Sequence, residues 1–592
     1  MTREMSAKEI LNDFKENYIK FRKLLDEDSK NDPENAPYFS KYKAKEILNN
    51  MYVFLKTLKT EGSPVDDTKL DAMIGYVLLN IGIVEMDTEE PTASEKSLNE
   101  AVDLLLENAL KPEIVVTLIN VYNNIGILWS NRDDPEKAKA SLVKGKTLYE
   151  DFKCTLQMPL PIEVIINYVG ETLIDDFMYL EKSYTLTLYY LAQVFGVLKE
   201  NLKSAIYCHV TLRRQLEYND YEPIDWALNS ATLSQFFAEQ NGFYQSRNHL
   251  AAASTILDQY KQLLEAAVDQ DEEYLAKLET FKHRSADVAR CWAKYCLLLM
   301  IASKTRLLDD DEKLSESITD MSNLSLEDTE NICEGNLKKL TFPNLDVTKY
   351  ESKIGDKFLL TYEDARAIFL SCQNWLNQAK EYYKLETLAS DYIELILDSS
   401  QAYNNLAFFE DNDDRRAKML KRRIDMLENL LNEINPTYYL QYCRQIWYEL
   451  GVVYTDILNI KIDKWPKSEV TVQARKKIDL LCDKSIESYT NFINSINDKN
   501  GKVPAKIDQE LIRPLINALV AVGRNSMKRM AVNKINQLCH VQKSLDSYQT
   551  VVDICDTHEE VAVMFTEEYK LCQEMCQILP LKIKKLQTEI AG

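Results

Sequence analysis

One eight-residue stretch constrains this chain more than any other. Trp447-Tyr448-Glu449-Leu450-Gly451-Val452-Val453-Tyr454 sets an aromatic, a Leu-Gly pair and a second aromatic at three-residue intervals. On a helix such positions share one side, and the glycine leaves a notch where another backbone can approach. Looser copies recur along the chain. Leu78-x2-Ile81-Gly82 is followed by Ser94, Leu98 and Ala101, and Tyr122-x2-Ile125-Gly126-x2-Trp129 by Ala138, Leu142 and Gly145. Leu188-x2-Leu191-Ala192-x2-Phe195 is followed by Ser204, Cys208 and Thr211, and Ser230-x2-Leu233-Ser234-x2-Phe237 by Ser246, Leu250 and Ala253. The downstream residues predict a second helix whose small positions allow close approach and whose large positions fill the gap.

This order resembles the tetratricopeptide repeat, whose first helix reads W-x2-L-G-x2-Y. Any one match also fits an ordinary amphipathic helix pair; five in one chain identify a repeat. The expected fold is all-α, a tetratricopeptide-like right-handed α-solenoid of antiparallel helix pairs in two subdomains. Anchors at 82, 126, 192, 234 and 451 are unevenly spaced, so the pairs carry long helices and inserted loops instead of forming a strict 34-residue array.

Composition agrees. Glycine numbers 14 of 592 residues and proline 15, against a usual glycine share of about 7%. Tight β-turns and phosphate-cradling loops need more. Glu9–Asp26 carries Ile10, Leu11, Phe14, Tyr18, Phe21, Leu24 and Leu25 in a helical stripe, and a second helix is expected from about Lys41 to Leu58. Residues 305–362 break the rhythm with Asp309-Asp310-Asp311-Glu312, a Ser/Asn/Glu-rich run and Pro343. They read as an acidic linker between subdomains 1–304 and 363–592. Helices are expected again over Asp414–Glu433, Tyr438–Lys461, Val472–Asn494, Gln509–Met530, Asn536–Thr557 and from Glu559 onward, with Lys461–Glu469 as an inserted loop.

The net charge is −22. Such a field repels nucleic acid and anionic membrane and favours a basic partner, although it also serves simply to keep a large chain dispersed. The polar start, Met1 to Asp13, reads as no signal peptide, and the longest apolar run, Cys296–Ala302, is too short to span a bilayer. Cysteines such as Cys208, Cys291, Cys296 and Cys482 lie in apolar helical settings and read as reduced core residues of a cytoplasmic protein.

The sequence holds no nucleotide-binding glycine motif, no G-x-S-x-G, no H-E-x-x-H and no C-x-x-C. The expectation is a binding protein that is not an enzyme, with no cofactor and no metal. Cys539-His540 with Cys555 and His558 forms the best metal candidate, read instead as two packed cysteines and two solvent-facing histidines. Cys572 and Cys576 share a helix face and read the same way. The basic run Arg415, Arg416, Lys418, Lys421, Arg422 and Arg423, flanked by Asp411, Asp413, Asp414, Asp425 and Glu428, reads as a solvated, internally paired face.

Several stretches resemble the kinesin-binding (KIF-binding) protein family. They are Asn123–Ser130, Leu188–Gln193, Arg214–Glu217, Trp226–Gln235, Ala289–Cys296, Lys421–Ile424 and Leu511–Pro514. The resemblance runs over nearly the whole chain. It implies a helical solenoid that binds the motor domains of a subset of kinesins, inhibits their attachment to microtubules, and acts in organelle transport and axon growth. It also implies a cytoplasmic, cytoskeleton-associated location and contact residues at Tyr190, Gln193, Gln215, Thr232 and Lys294. Lys464 and Trp465 are further contact candidates, able to reach across the groove from their loop. The connections near Gly62–Asp66 and Asp269–Glu273 are shorter than is usual in the family, so no role is carried onto them. A monomer with no nucleic-acid partner and no membrane insertion is expected. The alternative is a general adaptor that grips peptide tails, but the matched first helices hold few of the lysines and arginines that clamp a carboxylate.

Overall fold

The computed structural model describes residues 6–168, 176–266, 271–308, 340–464, 471–498, 503–504, 507–530 and 533–591. Among them the chain forms helices and no strand. Two compact units emerge. One comprises Met1–Gln240 with Thr255–Tyr260 and Thr319–Asp346; the other comprises Asn241–Ser254, Lys261–Ile318 and Val347–Gly592.

The first unit is built from α1 (Ala7–Asp26), α2 (Phe39–Glu61), α3 (Asp67–Asp87), α4 (Pro91–Leu105), α5 (Val115–Asn131), α6 (Pro135–Cys154), the single turn α7 (Ile162–Ile165), α8 (Asp176–Val197), α9 (Asn201–Glu217) and α10 (Pro223–Glu239). The apolar stripe of α1 turns inward, burying Ile10, Phe14, Tyr18 and Phe21. Its start is closed by a capping box, in which the Ser6 hydroxyl accepts from the Glu9 N–H and the Glu9 carboxylate from the Ser6 N–H.

Next come α11 (Phe243–Glu265), α12 (Glu272–Leu308), the single turn α13 (Thr348–Glu351), α14 (Tyr362–Tyr382), α15 (Ala389–Phe408), α16 (Asp413–Glu433), α17 (Leu440–Lys464), α18 (Val472–Ile496), α19 (Gln509–Lys528), α20 (Lys534–Thr557), α21 (Glu559–Met564) and α22 (Thr566–Ala591). Most of the expected acidic linker, residues 309–339, lies outside the described residues. Of its described remainder, 305–308 complete α12, while 340–362 carry α13 and the first residue of α14. The helix expected from Glu559 is broken at Phe565, which is buried between α21 and α22. Residues 461–464 of the expected loop continue α17, and 465–470 lie outside the described residues.

Sequential helices pack as pairs: α3 on α4, α5 on α6, α8 on α9, α17 on α18 and α19 on α20. All but the contact of α8 on α9 share one key. A Cβ added to Gly82 would lie 2.7 Å from Leu98, one on Gly126 2.6 Å from Leu142, and one on Gly451 2.6 Å from the Tyr489 ring. Only a residue without a Cβ fits. The key recurs at Gly523 and Tyr548, a pair the sequence pattern did not expose because Ser526 stands where the second aromatic belongs.

The turns repeat as well. Glu89, Asp133, Lys199 and Asn241 all adopt positive φ, and each lies seven residues after its anchor at 82, 126, 192 or 234. In the first three the following N–H closes the helix end, Glu90 donating to the Glu85 carbonyl, Asp134 to Trp129 and Glu200 to Phe195. These bonds satisfy carbonyls that a helix terminus would otherwise leave open.

Among the described residues no helix is long and apolar enough to cross a membrane, and the described cysteines form no disulfide. No group of three or more His, Cys, Asp or Glu side chains converges there as a metal site. Cys555 is buried as expected, but Cys539 is exposed. The two sit near opposite ends of α20, sixteen residues apart, or roughly 24 Å at the helical rise.

Candidate functional site

In the first unit, α8, α9 and α10 border a groove of about 330 Å³. Three residues expected at a contact surface line it together: Gln193 from α8, Gln215 from α9 and Thr232 from α10. Asn201 and Asn229 add further polar groups. The remaining lining includes Ala192, Ala205, Cys208, Leu212, Leu233 and Phe236. No charged side chain is among the lining residues.

Arg214, the neighbour of Gln215 along α9, belongs to a buried charge cluster that is paired internally. Glu181 on α8 is 1% exposed and accepts from Tyr149 Oη at 2.8 Å, from Lys153 Nζ at 2.9 Å and from the Arg214 guanidinium. Burial by itself raises the Glu181 carboxyl, but the bonds from Lys153, Tyr149 and Arg214 prevail and hold it below the usual carboxylate range. Arg214 also donates to Thr185 Oγ1 at 3.1 Å and faces the Tyr184 ring at 4.7 Å. This lock ties α6, α8 and α9 together and positions Gln215, the next residue along α9.

Tyr190 does not line the groove; its neighbour Tyr189 does. The two rings meet edge to face at 5.3 Å, and burial pushes the Tyr190 hydroxyl pKa up. Lys294 is exposed on α12 in the second unit. Its charge, together with Arg290, counteracts the burial that raises the Asp398 carboxyl on α15. Lys464 is half-exposed and donates to Asp414 Oδ2 at 2.7 Å, with Lys461 3.5 Å from the other oxygen. The ammonium expected to reach outward is thus held at the start of α16. Trp465 lies outside the described residues.

Sequence reasoning missed Tyr189, Asn201, Cys208, Asn229 and Phe236. A usable signal existed for three of them. Tyr189 stands four residues before Gln193, while Asn229 and Phe236 flank Thr232 at three and four residues, the spacings that share a helix face.

The basic run on α16 divides. Arg416 pairs with Asp413 at 2.7 Å and Lys421 with Asp425 at 2.7 Å, as a solvated paired face requires. Arg423 departs from that expectation. It is buried, donating to Ser400 Oγ at 3.0 Å, Asn404 Oδ1 at 2.9 Å and Glu449 Oε2 at 3.1 Å.

Helix pairs keyed by glycine, recurring within each unit, define a tetratricopeptide-like helical-repeat protein. The family model described as KIF-1 binding protein C terminal matches residues 224–586. The chain is 35% identical to the KIF-binding protein of Drosophila melanogaster, with 98% of each covered. It is 32% identical to that of Homo sapiens, with 94% of this chain and 95% of the relative covered. A solved structure of kinesin binding protein is 29% identical and superimposes with a TM-score of 0.64 over 98% of this chain and 99% of the other. The chain belongs to the KIF-binding protein family.

Proposed function

We propose that this chain binds kinesin motor domains and inhibits their attachment to microtubules, thereby regulating kinesin-driven transport and axon growth from a cytoplasmic, cytoskeleton-associated position. The observation that carries the reading is the end-to-end match to relatives named for binding KIF. The groove of α8, α9 and α10 supports a place for the contact, with Gln193, Gln215 and Thr232 as hydrogen-bonding groups. Tyr190, Lys294, Lys464 and Trp465 are further contact residues in this reading, and residues 305–362 serve as a linker between the parts before and after them.

A kinesin head meets acidic tubulin through a basic surface. A chain of net charge −22 attracts the same surface and competes with the microtubule for it. Charge of this kind accelerates encounter more than it sets affinity. An uncharged groove does the opposite, contributing short-range contacts that discriminate among motors. The test is co-sedimentation of isolated motor domains with microtubules in the presence of the full chain. Motor is expected to move from pellet to supernatant. Unchanged pelleting across a panel of kinesins removes the reading.

A further inference from the structure

The large residue of the helix-pair key is missing from one matched pair, and the gap falls in the groove. Sixteen residues after each N-terminal anchor the second helix carries a large side chain: Leu98 after Gly82, Leu142 after Gly126, Leu250 after Ser234. In the C-terminal pairs the equivalent place, four residues after Ser485 and Ser544, holds Tyr489 and Tyr548. Leu98, Leu142, Tyr489 and Tyr548 press onto the glycine of the preceding helix. In α8 and α9 the corresponding residues are Ala192 and Cys208. Ser204 still donates to the Ala192 carbonyl at 2.8 Å, so the helices are in register as elsewhere. Cys208 is shorter than leucine, and both Ala192 and Cys208 line the groove.

A packed interior leaves few voids larger than a water molecule, so a short side chain at a position elsewhere filled by leucine or tyrosine opens space. The surrounding walls of Ala205, Leu212, Leu233 and Phe236 are apolar. A charged group entering would lose hydration and meet no countercharge. The rim amides can bond to backbone or hydroxyl groups around the entrance.

Resting on the function proposed above, we infer that the Cys208 hollow receives an uncharged apolar side chain from the bound motor domain, and that Cys208 is a specificity-determining residue because its small size keeps the hollow open. Motors presenting a polar or charged side chain at that point are rejected. In an apolar pocket a misfit of one or two methylenes changes binding by about 10- to 200-fold.

The test fills the hollow in two ways. Ala192→Gly with Cys208→Leu recreates the glycine–leucine pair of α3 and α4. Cys208→Met fills it with a flexible chain and no second change. Both are compared with the parent and with Cys208→Ala, which leaves the hollow open, by thermal melting and by titration against a panel of isolated kinesin motor domains. The double variant is expected to melt at or above the parent. Both filled variants are expected to lose affinity by about tenfold or more, and Cys208→Ala to stay close to the parent. A folded filled variant that binds as the parent does overturns the inference and leaves the proposed function standing. A double variant that melts well below the parent overturns the packing argument beneath it. A parent chain that binds no motor of the panel overturns the proposed function and this inference together.

Discussion

Ser94 on α4 donates its hydroxyl to the backbone carbonyl of Gly82 on α3 at 2.7 Å. Four residues further on, Leu98 occupies the space a Cβ on Gly82 would need. The same two-part contact joins Ser485 and Tyr489 to Gly451, with the hydroxyl bond at 3.0 Å, and Ser544 and Tyr548 to Gly523, at 2.9 Å. The glycine lets the second helix come close enough for a serine to reach a helical carbonyl, and the large residue seals the contact from water. Each pair is thereby set in register by one polar and one steric interaction.

Gly451→Ala is expected to lower stability by about 1–3 kcal/mol, the usual cost of forcing atoms into a packed core, because the Tyr489 ring cannot bend aside. Gly145→Ala is the control. Its Cβ would find Tyr122 at 3.5 Å, an ordinary contact, and removing a helical glycine is favourable by about 0.5–1 kcal/mol. Guanidinium unfolding followed by circular dichroism separates the two.

Arg423→Ala is expected to cost about 3 kcal/mol, since it removes the guanidinium paired with the Glu449 carboxylate in a largely buried site. Lys421→Ala, two residues away and in an exposed ion pair with Asp425, is expected to change stability by less than about 0.5 kcal/mol. Equal midpoints for the two variants in the same denaturation assay would contradict the interior role of Arg423.

His249 is fully buried, and its Nδ1 lies 2.8 Å from the Gln245 carbonyl. Burial lowers its pKa to about 4, the bond to Gln245 opposing. The folded state therefore holds the ring neutral while the unfolded chain protonates near pH 6.5. Stability from this group is intact above pH 6.5, falls as the pH drops toward 4 by up to about 1.4 kcal/mol per unit, and levels off below that. A His249→Gln variant is expected to show a flatter melting temperature between pH 6.5 and 4.

Gln193→Ala with Gln215→Ala is expected to weaken motor binding by roughly tenfold, two modest hydrogen bonds' worth. Lys464→Ala is expected to weaken it by less, because that ammonium must first leave Asp414 to reach a motor. Raising salt from about 50 to 300 mM should slow association and leave dissociation from the uncharged groove nearly constant. Biosensor kinetics read both rates.

What the sequence determined by itself was the local part of this structure. Helices, their pairing, and the anchors at 82, 126, 192 and 451 follow from periodicity and from residue size at fixed offsets, and those depend on neighbours within one helical hairpin. The groove was legible only in part. Gln193, Gln215 and Thr232 were singled out from the resemblance, but that they meet depends on three helices from successive pairs, which no single-helix pattern records. Tertiary structure alone decided that Arg423 turns inward while Arg416 and Lys421 stay solvated, and that Lys464 folds back onto Asp414. It also decided that the cysteine at position 208 leaves a hollow beside Ala192, because a small residue becomes a cavity only where its neighbours fail to close over it.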